Sequence, residues 1–65
     1  MSEGELAAIV GELRALSERL DDVALDALRR AAEAGATARP PLERRVTRAR
    51  HAIERAIALL GGEEA

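Results

Sequence analysis

His51 and Glu54 stand three residues apart, the helical spacing at which an imidazole and a carboxylate can both reach a divalent metal ion. Zinc sites draw on roughly three or four protein ligands, and the neighbouring turns of this segment offer arginine and alanine instead of further acids. The pair is therefore expected to be a surface feature, with no metal bound. His51 also belongs to a second pattern: Arg44, Arg48, His51 and Arg55 fall at i, i+4, i+7 and i+11, one stripe of a helix. Guanidiniums in a row suit phosphates or an acidic protein surface, which they hold by paired, charge-assisted hydrogen bonds. Arg39, Arg45 and Arg50 lie beside the stripe.

Composition argues against taking that stripe as a specific nucleic-acid reader. The net charge is −2, the isoelectric point is near 5.3, and there is no Phe, Tyr or Trp on which a base could stack. The bland reading is a solvated face, and the sharper one an anion-binding regulator recognising a nucleotide or nucleic acid. Catalysis has less support still. There is no Cys and no Lys, no Ser is paired with a recognisable base, and no glycine-rich loop could cradle a phosphate. No catalytic residue, cofactor or enzymatic activity is assigned.

The elements that carry these residues are read from apolar periodicity. Ser2 followed by Glu5 fits a capping box, so a helix is expected to start at residue 3. From there Leu6, Ile9, Leu13, Leu16, Leu20, Val23 and Ala27 recur at alternating steps of three and four, a coiled-coil seam. The pattern continues through Ala24, Leu28, Ala31 and Ala32 to Gly35, a C-terminal cap, which predicts helix 3–34. The segment 35–41, GATARPP, is the expected turn, because Gly ends a helix and Pro suits the first turn of the next. Leu42, Val46, Ala49, Ile53, Ile57 and Leu60 then form the seam of helix 42–60, closed by Gly61-Gly62 within an acidic tail, 61–65.

One 65-residue chain makes a single small domain, and without cysteines its stability has to come from packing. The fold class expected is all-α: a helical hairpin with a long first and a shorter second helix. Folding back at residue 38 would set Ala49 level with Ala27 and Leu60 level with Leu16. Leu6, Ile9, Val10 and Leu13 would then have an apolar face and no neighbour in the chain, the mark of an association patch. The simplest closure is an antiparallel homodimer forming a four-helix bundle, and a helical partner protein would serve as well. A rival layout breaks the first helix at Asp21-Asp22 and makes a monomeric three-helix bundle, although no Gly or Pro marks a turn there.

Charge divides along the same boundary. Residues 1–34 carry eight acids against four arginines, whereas 35–60 carry six arginines against two glutamates. Opposite halves should attract and help set the antiparallel pairing. The longest apolar runs are far short of the roughly 20 residues that span a bilayer. The acidic opening MSEGEL lacks the basic, then apolar, form of a secretory signal. No membrane association and a cytoplasmic location are expected.

Two family resemblances bear on function. Leu16 to Leu28, LSERLDDVALDAL, is faintly similar to the first helix of the all-helical chorismate mutases. Ser17 stands where their substrate-binding Arg aligns and no Lys exists, so no mutase activity is inferred. Glu43, Thr47, Arg50 and Glu54 are similar in spacing to the helix pattern E-x3-S-x2-R-x3-Q-x3-D of small anti-sigma factors that bind cyclic di-GMP on an antiparallel hairpin. Thr replaces Ser, Glu replaces Gln, and Ala58 stands where an Asp would contact guanine.

Overall fold

The computed structural model describes residues 1–62 and holds two α-helices, α1 Glu3–Glu33 and α2 Pro41–Leu60, which pack against each other as a hairpin. No strand occurs among the described residues. Glu63 to Ala65, most of the expected acidic tail, lie outside them.

Local chemistry accounts for each boundary. The Ser2 hydroxyl accepts from the Glu5 N–H at 3.0 Å and donates to Glu5 Oε1 at 3.3 Å, so the capping box closes through the hydroxyl. At the other end Ala36 N–H donates to Ala31 C=O at 2.9 Å and Gly35 N–H to Ala32 C=O at 3.0 Å, a Schellman motif around Gly35 at φ +84°. Pro40 caps α2 and Pro41 takes its first position, where a missing N–H costs nothing. The helix α1 runs through Asp21-Asp22 unbroken, so the three-helix layout is not adopted.

Two glycines of opposite circumstance make a paired prediction. Gly35 has a positive φ that a Cβ disfavours, whereas Gly11 sits inside α1 with nothing within 4 Å of where a Cβ would be. Gly35→Ala is expected to lower stability by about 1 kcal/mol or more, and Gly11→Ala to raise it by about 0.5–1 kcal/mol. Denaturant titration followed by circular dichroism reads both.

The register differs from the one expected. Arg50 pairs with Asp21, and a shallow groove is lined by Arg14, Ser17, Glu18 and Asp21 on one helix and Arg50, Glu54 and Ile57 on the other. Residue numbers on facing levels thus sum to about 71 rather than 76, so each residue of α2 lies more than one turn further toward the start of α1. The turn explains the shift. After the sharp reversal at Gly35, residues Ala36 to Pro40 run back along Leu28, Ala31 and Ala32, so α2 starts well below the end of α1.

The result is one layer thick. The molecule measures 49 × 22 × 12 Å, and the smallest extent matches the roughly 10–12 Å diameter of a single helix. Its radius of gyration is 15.0 Å, against about 11 Å for a compact domain of this length. Among the described residues only Ala24, Val46 and Ile57 form a buried apolar core, and no large side chain is fully enclosed. Domains are ordinarily two packed layers around a core.

Candidate functional site

The hairpin has two unlike sides. Taking the contact between the helices as zero, at about 100° per residue, Asp21 on α1 and Glu43, Thr47, Arg50 and Glu54 on α2 turn toward one side. Because the helices run antiparallel, rotation in the same sense on each leads to the same side of the layer. Leu16 and Val23 on α1, and Leu42, Ala49, Ala56 and Leu60 on α2, turn the other way.

The first side is held by ionic contacts. Glu43 is buried and accepts from Arg39 Nε at 2.7 Å, from Arg39 Nη2 at 3.0 Å and from the Thr47 hydroxyl at 2.9 Å. This clasp ties the turn to the first turn of α2, where a carboxylate also suits the helix dipole. Half-buried Arg50 donates to Asp21 across the helices, and its Nε lies 3.4 Å from Glu54 Oε1 without hydrogen-bond alignment. Asp21–Arg50 is the single interhelical ion pair among the described residues; the remaining pairs join residues three or four apart. Charge complementarity between the halves therefore acts here through one contact.

The Arg39 guanidinium, and next the Thr47 hydroxyl, hold the Glu43 carboxyl below its ordinary value of 4.5. Asp26, paired with Arg29 and Arg30, is lowered as well. A carboxylate with a depressed folded-state pKa contributes stability that is present above its unfolded pKa and is lost as pH falls through the folded value. The melting temperature is expected to fall as pH drops below about 4.5, and Glu43→Gln should flatten that decline while lowering the neutral-pH value. A thermal melt series against pH reads both effects.

The second side is apolar and open. Leu16 and Val23 are each 44 % exposed and Leu42 is 45 % exposed, while Ile9, Leu20 and Ile53 are half-buried at its inner edge. A groove on α1 is lined by Leu16, Leu20 and Val23 together with the charged Arg19 and Asp22. The seam read for α2 is thus only partly inside: Val46 and Ile57 face α1, while Leu42, Ala49 and Leu60 are exposed, and Glu43 and Arg50 take inner positions. One neighbouring helix covers a strip narrower than the apolar stripe, so part of each stripe is left over.

Of the patch expected at the start of α1, Leu6, Ile9 and Val10 project past α2, which ends level with about Gly11 in the observed register. Leu13 instead falls beside the last turn of α2. All four are half-buried, and Ile9 joins the apolar side. Two features were missed in the sequence, the Glu43 clasp and the spread of apolar residues along the whole hairpin. Arg39, Glu43 and Thr47 stand at successive steps of four, the signal from which the clasp was legible.

Arg44, Arg48, His51 and Arg55 are exposed on the surface of α2 that faces away from α1, and none of them takes part in an ion pair among the described residues. His51 does not join Glu54, which lies beside Arg50. Among the described residues no three His, Cys, Asp or Glu side chains gather as a metal site requires. The residues similar to the cyclic di-GMP pattern are occupied internally, Glu43 with Arg39 and Thr47, and Arg50 with Asp21. No described helix is long and apolar enough to cross a membrane. No protein-family model, curated protein or solved structure matches the chain.

Proposed function

We propose that this chain is a non-enzymatic protein-association module that presents the apolar side of its hairpin to another helical surface. The observation that carries the reading is a layer one helix thick with large aliphatic side chains open along one side and ionic contacts along the other. Contiguous apolar surface on a small protein marks an interaction site, and a single layer has no second layer with which to complete a core. Association and folding are therefore coupled in this reading.

Thermal unfolding over a wide range of protein concentration tests it. A melting temperature that rises with concentration, or a dilute chain with little helix, supports coupling. A cooperative transition at a midpoint independent of concentration would contradict it.

A second reading rests on Arg44, Arg48, His51 and Arg55, which stand together, exposed and outside every ion pair among the described residues. Such a stripe suits an anionic partner, a nucleotide or nucleic acid, with affinity that falls steeply with salt. A fluorescence anisotropy change with a polynucleotide or cyclic dinucleotide at low salt, lost on Arg48→Glu, would support this reading. No change at low salt would remove it.

A further inference from the structure

We infer that the surface covering the apolar side is a second copy of this chain, packed face to face and running in the opposite direction as a four-helix bundle. This rests on the reading of that side as an association face, and three observations single out a copy as its occupant.

The first is area. The chain exposes 4953 Å², whereas a compact protein of 6.9 kDa exposes about 4000 Å². The excess, about 950 Å², is close to the roughly 800 Å² that each partner buries in a standard interface.

The second is self-complementarity. In a two-fold interface the same patch serves both partners, so its features must repeat on either side of the axis. Leu16 and Val23 lie equally far from a level between Arg19 and Leu20. The midpoint of α2, between Arg50 and His51, falls at nearly that level, by the register that pairs Arg50 with Asp21. One axis at this level would therefore stack Leu16 on Val23 of the other copy and overlap the whole of α2 with its counterpart.

The third is the overhang. With the copies antiparallel, Leu6 and Ile9 of one lie over the turn end of the other, near its half-buried Ala31 and its exposed Leu42. A parallel pair would leave both overhangs uncovered at the same end.

The test combines mass and direction. Light scattering with refractive-index detection is expected to give about twice 6.9 kDa. With no native cysteine, a nitroxide on Ala8→Cys, an exposed position turned away from α2, reports direction by pulsed electron spin resonance. An antiparallel pair should place the two labels about 35 Å apart, and a parallel pair under about 25 Å.

A doubled mass with the long distance supports the inference. A doubled mass with the short distance overturns the antiparallel arrangement while association through this side stands. A monomer with little helix excludes a second copy and leaves the face to a foreign partner. A monomer that is stably folded overturns both the inference and the reading beneath it.

Discussion

Val23→Glu is expected to destabilise the fold by about 2 kcal/mol or more, whereas Leu25→Glu should stay within about 0.5 kcal/mol of the parent, as surface substitutions ordinarily do. Both residues are exposed in the single hairpin, Val23 at 44 % and Leu25 at 57 %. Judged by exposure alone, Leu25 tolerates a charge as well as Val23 does. The difference lies in which side each occupies: Val23 stands on the apolar side beside Leu16 and Leu20, and Leu25 on the ionic side. A carboxylate at Val23 would be driven into a largely aliphatic interface, which proteins tolerate poorly, with Arg19 of the same groove too near the rim to offset the loss of Leu16 and Leu20 contacts. Chemical denaturation of the two variants at matched concentration measures the contrast. Equal, small effects would mean that the apolar side stays in water.

Ile57→Ala should be nearly as damaging for a different reason. Ile57 is one of three buried apolar residues among those described and lines the ionic groove with Arg14 and Ser17. Removing its outer carbons costs about 2–5 kcal/mol in an ordinary core. With so few buried neighbours to share the load, the chain has little reserve, and circular dichroism is expected to show loss of most helix at ordinary temperature. Leu59→Ala, at an exposed position one residue from the end of α2, serves as the control and should change little.

The hairpin itself was legible because local signals agree along the chain. Ser2 with Glu5, Gly35 at the end of α1 and Pro41 at the start of α2 each specify a boundary by chemistry that involves near neighbours only. Continuity through Asp21-Asp22 was legible for the same reason, since nothing there supplies a turn. Register was not. It depends on how residues Ala36 to Pro40 lie against Leu28 and Ala31, a contact between segments that no periodicity encodes.

The inner face of α2 was read one step off for a related cause. Leu42, Val46, Ala49, Ile53, Ile57 and Leu60 form a stripe wider than a single helix can cover, and periodicity gives its centre without saying which edge meets α1. The observed rotation brings Glu43 and Arg50 inward, where Arg39, Thr47 and Asp21 satisfy them. The apolar edge it leaves outside is the surface on which the functional reading depends. The candidate patch named from sequence, Leu6, Ile9, Val10 and Leu13, is thus one end of a longer face.

Whether the apolar side is covered in solution is read from solvent access to individual methyl groups in the folded chain, measured by nuclear magnetic resonance with a soluble paramagnetic agent at concentrations where the protein is fully helical. The methyl signals of Leu16, Val23 and Leu42 are expected to be protected while those of Leu25 are broadened. Equal broadening of all four residues in a folded chain would contradict that expectation, because the apolar side would then be bare in solution.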